Sequence, residues 1–368
     1  MKFSCDKYVL QQAAASAARA AAAKSPIPTL EGLLIEAGAS VRITGYDLKK
    51  AIYTTIDADI PEPGSVLIGA RLFCEMLRRM PDGIVTVEAE NGTVSVKCGK
   101  AAFNLVGLSA DDYPDLPTVE AENGVSLPQD LLKKMINECS FAVSTNESRP
   151  VYMGTLFEIA HNELTMVSVD GYRLALRREP VEGYGDDCSF IVPGTALSDL
   201  ERLCGDSDER VVLSVGSKHI SFTVGNTVIL SRRLEGDFLN YKKAIPESFR
   251  VTVKTARTDL LEVVERVSLI IDSKNNAPLR LTFRKDAIDF VCTTPLGKAA
   301  DSCPCEGDGG DLEIGFNDHY LSDALKAAPA EEINVCLNTG SSPCILVPAD
   351  GSDNFVYMVL PVRLRAGQ

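Results

Sequence analysis

Two short groupings of reactive side chains could take part in chemistry. Asp170 and Arg173 stand close enough in the chain for a carboxylate and a guanidinium to act as a catalytic pair, although a salt bridge within a loop is the simpler interpretation. Cys303 and Cys305 flank a proline and could bind a metal ion through their thiolates. No second close pair of ligands follows nearby, which favours a mobile loop with reduced thiols. Neither grouping predicts a catalytic site on its own.

The sequence lacks the local motifs of the common enzyme classes. Its three histidines are His161, His219 and His319, and none belongs to a His-Glu-x-x-His motif. A phosphate-binding loop, a Gly-x-Ser-x-Gly elbow and a dinucleotide fingerprint are also missing. We therefore expect a protein that is not an enzyme, with no catalytic residue, no metal and no cofactor.

The composition is that of an ordinary folded protein. Of the 368 residues, 45% are hydrophobic and 24% are charged. No stretch approaches the ~20 apolar residues that cross a bilayer. We interpret the Ala-rich segment Ala13–Ala23 as a helix and not a signal peptide, because Ser16 and Arg19 interrupt it. The eleven cysteines are odd in number and mostly lie in apolar runs, which indicates reduced thiols in a cytoplasmic protein.

A segment that is typical of a buried strand leading into a helix occurs three times. The copies are Leu67–Phe73, Ile191–Leu197 and Glu313–Asn317. Aligning Gly69 with Pro193 and Gly315 gives intervals of 124 and 122 residues. In a similar register, Gly45-Tyr46-Asp47-Leu48 precedes Gly171-Tyr172-Arg173-Leu174 by 126 residues. The pattern predicts one unit of about 120 residues used three times, which fits the usual size of a domain.

Each repeat is predicted to contain two amphipathic helices packed on mostly antiparallel strands. Asn91-Gly92, between two alternating strands, is a strong hairpin signal. The turn-rich stretches 111–117 and 238–246 occupy the same place in the repeat and mark its boundaries. The expected fold is therefore α+β, with an N-terminal domain at 1–120, a central domain at 125–245 and a C-terminal domain at 247–368.

Four segments resemble the bacterial beta sliding clamp of DNA polymerase III, in the order and spacing of that family over essentially the whole chain. They are Met1–Phe3, Val169–Ala175, Ile314–Asn317 and Tyr357–Leu364. The resemblance implies a head-to-tail homodimer closed into a ring around duplex DNA, with helices inside and sheets outside. It also implies a cytoplasmic, nucleoid-associated processivity factor without catalysis. Its partners would be the replicative polymerase, the clamp loader, repair polymerases and mismatch-repair proteins, bound through short peptide motifs and without a membrane.

Helix packing permits such a ring for two copies of the chain. Twelve helices spaced about 9–10 Å apart leave a bore of roughly 27 Å once the helix radius is subtracted. Duplex DNA is about 20 Å across and would pass through this bore. Six helices at the same spacing leave under about 10 Å, which excludes a ring made of one copy.

The distribution of charge along the chain agrees better with DNA binding than the net charge does. A net charge of −14 argues against a nucleic-acid partner. The six predicted helical segments, however, carry no net charge, so the excess acid lies elsewhere. Glu262 and Glu265 depart from a uniformly basic lining. Candidate DNA-facing residues are Lys24, Arg71, Arg78, Arg79, Lys133, Lys134, Arg149 and Lys326.

The resemblance also implies an apolar pocket between the second and third repeats that binds partner peptides with leucine and phenylalanine anchors. The matching positions are Tyr152, Gly171, Tyr172, Arg173, Leu174, Leu239, Ala244, Ser342, Met358, Leu360, Pro361, Val362 and Arg363. The sequence departs from the family pattern at three of these positions or beside them: Tyr172 replaces the usual His, Val169 replaces the usual Thr, and Leu239 replaces a frequent Pro. A wider aromatic rim around the pocket could change which peptides it prefers. Arg365–Gln368 extend past the usual end of the chain, beside the pocket.

The ring would also need a seam between its two subunits. In the predicted seam, Phe103 and Leu105 of the first repeat meet Ile270 and Ile271 of the third repeat of the other subunit. Apolar groups on a free sheet edge favour aggregation, and a closed contact between copies would cover them. The alternative function is a scaffold that binds peptides but no DNA.

Overall fold

The computed structural model describes residues 1–119, 123–184, 186–272 and 277–364. It is an α+β structure in which every described strand pairing is antiparallel. The tail 365–368, which was predicted to lie beside the pocket, is outside the described residues. The helices are α1 (Lys7–Ala18), α2 (Ala70–Arg79), α3 (Gln129–Ser140), α4 (Gly194–Leu203), α5 (Tyr241–Ala244), α6 (Arg257–Ser268) and α7 (Asp318–Ala327), with short 3₁₀ helices at Pro28–Glu31 and Pro150–Met153.

The strands alternate with these helices in the order that the repeat predicts. Those of the first repeat are β1 (Lys2–Asp6), β2 (Gly32–Ala37), β3 (Val41–Tyr46), β4 (Lys50–Ile56), β5 (Asp59–Glu62), β6 (Gly64–Gly69), β7 (Ile84–Glu90), β8 (Thr93–Cys98) and β9 (Ala101–Val106). Those of the second are β10 (Asn123–Pro128), β11 (Gly154–Ala160), β12 (Glu163–Val169), β13 (Arg173–Pro180), β14 (Glu182–Tyr184), β15 (Cys188–Pro193), β16 (Arg210–Val215), β17 (His219–Val224) and β18 (Thr227–Arg232). Those of the third are β19 (Val251–Ala256), β20 (Leu279–Thr294), β21 (Gly297–Phe316), β22 (Glu332–Leu337), β23 (Cys344–Pro348) and β24 (Phe355–Val359).

The described residues form two compact units. Unit 1 comprises Met1–Lys133, Glu182–Asp186 and Thr195–Arg233, and unit 2 comprises Lys134–Val181, Asp187–Gly194 and Leu234 onward. Unit 1 holds a five-stranded sheet, β5-β1-β7-β8-β9, and a nine-stranded sheet, β14-β10-β16-β17-β18-β4-β3-β2-β6. Unit 2 holds a ten-stranded sheet, β15-β11-β12-β13-β24-β23-β22-β19-β21-β20.

Two of these sheets contain strands from consecutive repeats. In unit 1, β18 of the second repeat pairs with β4 of the first, with Ile229 opposite Ile52. In unit 2, β13 of the second repeat pairs with β24 of the third, with Leu174 opposite Met358. Because backbone hydrogen bonds run across these junctions, the compact units do not follow the sequence repeat.

The predicted helices of each repeat are present, but the Ala-rich helix is shorter than expected. Asp6 caps α1 by accepting hydrogen bonds from the N–H groups of Tyr8 and Val9 at 2.8 and 3.3 Å. The helix ends at Ala18, so the predicted helix over Ala13–Ala23 is wrong in its last turn. The chain leaves the helix because the N–H of Ala22 donates to the carbonyl of Leu30 instead of to a helical carbonyl.

The structure also shifts the repeat register. Isolated bridges join Leu67 to Leu108, Ile191 to Leu234 and Gly315 to Val362. Gly315 is therefore the counterpart of Leu67 and Ile191, and its predicted alignment with Gly69 and Pro193 is wrong by two residues. Strand pairing fixes the register of the repeat, whereas the similarity of the short segments around Gly69 and Gly315 gave a false alignment.

Two further predictions have opposite outcomes. The hairpin at Asn91-Gly92 is confirmed, since both residues have positive φ, 50° and 75°, between β7 and β8. The predicted mobile loop at Cys303 and Cys305 is wrong, because both thiols are buried within β21. Across the part of the chain that the structure describes, no group of three or more His, Cys, Asp or Glu side chains could hold a metal ion. None of the described helices has both the length and the apolar character of a membrane-spanning helix.

Candidate functional site

The floor of the predicted pocket is one face of the ten-stranded sheet in unit 2. Leu174 on β13 lies opposite Met358 on β24, which in turn lies opposite Ile345 on β23. Partners across a ladder share one face, and these three side chains are buried together in a single apolar cluster. Leu360 packs against the cluster, and its N–H donates to the carbonyl of Tyr172 at 2.8 Å. Adjacent strands thus bring the two halves of the predicted pocket together.

A segment just before the third repeat forms one wall of the pocket. Phe238, Ala244 and Ile245 pack against the apolar cluster while remaining partly exposed, and Tyr241 is buried in it. Leu239, which replaces a frequent Pro in the resemblance, is half-buried in the same stretch. Asn240 caps the short helix α5, which fixes the turn. The wall is therefore apolar on the side that faces the sheet.

Aromatic side chains close a second side of the pocket. The rings of Tyr152 and Phe238 meet edge to face, with centroids 5.6 Å apart. The guanidinium of Arg149, a predicted DNA-facing residue, lies 5.9 Å from the Tyr152 ring. Tyr152 stands in the 3₁₀ helix directly before β11, so the sheet positions this pair.

A tight turn carries Tyr172 at the edge of the sheet. Gly171 has φ +97°, a left-handed conformation that glycine adopts without strain. Asp170 accepts hydrogen bonds from the N–H groups of Tyr172 and Arg173 at 2.8 and 3.0 Å, which fixes the turn. Tyr172 remains 59% exposed and stacks on Tyr320 of α7.

The side chain of Arg173 lies on the face of β13 opposite to Leu174. Its guanidinium bonds to Asp170 at 3.0 Å and to Asp323 at 2.6 Å, and it lies 5.4 Å from the ring of Phe141. The backbone of Arg173 therefore lies beside the predicted pocket, but its guanidinium points to the other face of the sheet. Alternation along a strand explains this, since adjacent side chains point to opposite faces.

The remaining predicted pocket residues lie at the margins. Ser342 is half-buried and exchanges a hydrogen bond with the hydroxyl of Thr339, at 2.6 Å. The N–H of Val362 donates to the carbonyl of Gly315 at 2.9 Å, which anchors the last described strand segment. Pro361 is half-buried and Arg363 is exposed.

Sequence reasoning missed several residues of this site. Phe238 and Tyr241 belong to the boundary stretch that supplies the predicted pocket residues Leu239 and Ala244, and aromatic residues in this turn-rich segment were an available signal. Ile345 could have been found from the alternation of β23. Tyr320 had no such signal, because only the folded chain brings it beside Tyr172.

A polar cleft of about 320 Å³ continues the same face of the sheet. Glu158 on β11 lies opposite Thr165 on β12, which lies opposite Arg178 on β13. The phenol of Tyr241 donates a hydrogen bond to Glu158, and burial together with this carboxylate raises the pKa of Tyr241. Tyr241 thus belongs both to the apolar cluster and to the lining of the cleft.

Several of the predicted DNA-facing cations form ion pairs on the helices. Arg78 and Arg79 both bind Glu75 at 2.7 Å, Arg78 through both carboxylate oxygens and Arg79 through Oε1. Lys133 binds Asp206 at 2.7 Å and Lys326 binds Glu265 at 2.9 Å. Lys24, Arg71, Lys134 and Arg149 are exposed. Carboxylates therefore neutralise several of these cations, in agreement with the absence of net charge on the predicted helical segments.

Lys134 and Lys326 line one groove between α3 and α7, with a volume of about 490 Å³. The groove also contains Glu138, whose carboxylate binds Arg177 beneath it. Burial outweighs this ion pair and raises the pKa of Glu138, and the nearby carboxylate of Glu179 acts in the same direction.

Of the predicted seam residues, Phe103 and Leu105 lie on a terminal strand, and Ile270 and Ile271 follow a helix. Phe103 is 41% exposed on β9, the last strand of the five-stranded sheet, and Leu105 packs partly against the core. Ile270 and Ile271 are half-buried just after α6, beside Leu269, which is 83% exposed. The ten-stranded sheet ends at β20.

Three repeats of paired helices on antiparallel sheets define a clamp-type fold of three domains. Sequence profiles of the DNA polymerase III beta subunit match the chain throughout, with the N-terminal domain at residues 1–117, the central domain at 126–240 and the C-terminal domain at 242–363. The beta sliding clamp of Bacillus subtilis (strain 168) is 30% identical over 378 residues, covering 99% of this chain and all of the relative. That of Staphylococcus epidermidis is 32% identical over 357 residues, covering 94% of each.

Solved structures give the same result. The DNA polymerase sliding clamp of Bacillus subtilis superimposes with a TM-score of 0.95 at 29% identity, covering 99% of this chain and all of that one. The DNA polymerase III subunit beta of Pseudomonas aeruginosa gives 0.94 at 27% identity, with the same coverage. The chain therefore belongs to the DNA polymerase III beta subunit family, and its function is that of a sliding clamp for DNA polymerase III.

Proposed function

We propose that two copies of this chain close head to tail into a ring around duplex DNA and tether replication proteins to it without catalysing a reaction. The observation that carries the proposal is the match of three clamp domains, in order, over nearly the whole chain. The proposed domains are 1–120, 125–245 and 247–368, and the proposed location is the cytoplasm, in association with the nucleoid.

Two of the terminal strands support the head-to-tail arrangement. β9 ends a sheet of unit 1 and β20 ends the sheet of unit 2, so the two edges belong to different surfaces of the chain. A contact between two different surfaces is heterologous, and it closes into a ring when the rotation allows. Phe103 and Leu105 near one edge, and Ile270 and Ile271 near the other, provide apolar area that a partner copy would cover.

The charge on the helices supports binding to DNA without sequence preference. Exposed cations such as Lys24 and Arg71 can contact phosphates, which carry no sequence information. The ion pairs of Lys133 and Lys326 limit the net attraction. A lining without net charge suits a ring that must slide, because each released phosphate contact costs little.

The apolar pocket supports exchangeable binding of partner peptides. The partly exposed Leu360, Phe238 and Ala244, which pack on the buried Leu174 and Met358, offer a surface for two or three apolar anchors. Anchors of about 1.5–3 kcal/mol each, less the cost of ordering the peptide, give an affinity near micromolar. The proposed partners are the replicative polymerase, the clamp loader, repair polymerases and mismatch-repair proteins, and two pockets in one ring add avidity.

The experiment that tests the ring uses DNA topology. The chain is loaded with a clamp loader and ATP onto a nicked circular plasmid, and the complex is isolated by gel filtration. We expect it to stay on the circle and to leave after a restriction enzyme linearises the DNA. Equal retention on both forms would indicate ordinary DNA binding, and no retention with intact peptide binding would favour the DNA-free scaffold. A stable monomer by sedimentation would also overturn the ring.

A further inference from the structure

Two turns in consecutive repeats are built alike. Asp47 accepts hydrogen bonds from the backbone N–H groups two and three residues further along, at 2.9 and 2.7 Å. Asp170 does the same at 2.8 and 3.0 Å. The next residue has positive φ in both turns, +71° at Leu48 and +97° at Gly171. The turns are therefore equivalent, at an interval of 123 residues and not the 126 that the sequence alignment predicted.

Each turn leads into a strand whose first residue is a cation that pairs with the following repeat. Lys50, which begins β4, forms an ion pair with Asp199 of α4. Arg173, which begins β13, donates from Nη1 to Asp323 of α7 at 2.6 Å. Asp199 and Asp323 are each the sixth residue of the second helix of their repeat. The same ion pair thus links consecutive repeats twice, once within each compact unit.

The second of these pairs has contacts that the first lacks. The guanidinium of Arg173 lies 4.7 Å from the ring centroid of Tyr320, and its side chain is only 12% exposed. Tyr172, its neighbour in the turn, stacks on the same Tyr320 ring. In the first turn the corresponding residue is Lys49, which has no ring to stack. The ion pair therefore adjoins an aromatic rim in unit 2 only.

We propose that Asp323 is a positioning residue for the peptide-binding pocket. Its carboxylate holds Arg173 beneath Tyr320, Asp170 ties Arg173 to the turn, and the turn sets the position of Tyr172 at the pocket edge. Removal of the Asp323 charge leaves the guanidinium with Asp170 alone, so the support of the rim loosens. This inference rests on the proposed function, since it requires that the pocket binds a peptide.

The test compares Asp323→Asn with Asp199→Asn in the full chain. The second variant removes the equivalent ion pair, together with the bond from Arg19 to Asp199, where no aromatic rim is present. The probe is a fluorescein-labelled synthetic peptide with a leucine and a phenylalanine anchor, titrated by anisotropy. We expect Asp323→Asn to raise the peptide Kd about three- to tenfold, Asp323→Glu to restore most of the affinity, and Asp199→Asn to leave it unchanged.

Hydrogen exchange adds a local measurement. The N–H groups of Tyr172 and Arg173 should exchange faster in Asp323→Asn and at the wild-type rate in Asp199→Asn. Wild-type affinity in Asp323→Asn, or an equal loss of affinity in both variants, would overturn the inference. If the wild-type chain binds no such peptide, the proposed peptide-binding function is wrong. In that case hydrogen exchange still tests the inference, and an unchanged exchange rate in the 170–173 turn of Asp323→Asn would overturn it.

Discussion

The phenol ring of Tyr172 stacks on that of Tyr320, with centroids 5.5 Å apart and an interplanar angle of 22°. Tyr172 belongs to the turn before β13 in the second repeat, and Tyr320 belongs to α7 in the third. Because more than half of the Tyr172 side chain is exposed, part of it stays accessible to a ligand.

Replacing Tyr172 by Ala should weaken peptide binding. The change removes the ring that extends the apolar floor and is expected to cost about 1–2 kcal/mol of binding free energy, roughly a five- to thirtyfold rise in Kd. Isothermal titration with a synthetic anchor peptide measures the effect. Tyr8→Ala serves as the control, since Tyr8 is similarly exposed on α1 in unit 1. An unchanged Kd for Tyr172→Ala would show that the rim takes no part in binding.

Truncating Phe103 to Ala should weaken the dimer. The side chain is a large apolar group on the terminal strand β9, and its loss removes buried area at the proposed seam. We expect the dissociation constant of the dimer to rise about tenfold or more. Sedimentation of fluorescently labelled protein at nanomolar concentration measures it.

The control for the seam is Val212→Ala. Val212 is also partly exposed, but β16 is paired on both sides within its sheet. This variant should keep the wild-type dimer constant. If Phe103→Ala sediments like the wild type, the seam has been placed on the wrong residues.

Amphipathic periodicity and turn chemistry predicted much of the fold. In α3, Leu132, Met135 and Ile136 have the spacing of one helix face, and all three are buried. The hairpin at Asn91-Gly92 needed only local conformation. Such features depend on a few neighbouring residues, so a single sequence contains the information.

The register and the site depended on distant contacts. Gly315 matched Gly69 in sequence, yet strand pairing made it the counterpart of Leu67. Cys303 and Cys305 stood in a Pro- and Gly-rich stretch, yet pairing within β21 buried them. The resemblance gave the pocket positions, but the strand's alternation, and not the residue type, decides where each side chain points.

Substituting Gly45 by Ala should destabilise unit 1. A Cβ at this position would lie 2.0 Å from the carbonyl oxygen of Ala17, so α1 would have to move away from β3. Overpacking of this kind costs about 1–3 kcal/mol or more. Calorimetry should show a melting temperature several degrees lower. Gly38→Ala is the matched control, because a Cβ there meets nothing within 4 Å. Equal melting temperatures for the two variants would contradict the close approach of helix and strand.

Replacing Glu138 by Gln should change how stability depends on pH. Burial raises the pKa of Glu138 above its ordinary value of 4.5, so the folded state binds this proton more tightly than the unfolded chain does. Its contribution to stability is complete below pH 4.5 and is lost as pH rises through the higher folded pKa. The Gln side chain does not titrate, so its contribution to stability does not fall as the pH rises.

The free energy of unfolding of Glu138→Gln should therefore increase relative to the wild type as the pH rises from 4.5 to neutral pH. Urea denaturation at a series of pH values measures this difference. Glu179→Gln should change the pH dependence in the same direction but by less, since the Glu179 carboxylate is one of the groups that raise the pKa of Glu138. A stability difference that instead grows as the pH falls would mean that the ion pair with Arg177 outweighs burial at Glu138.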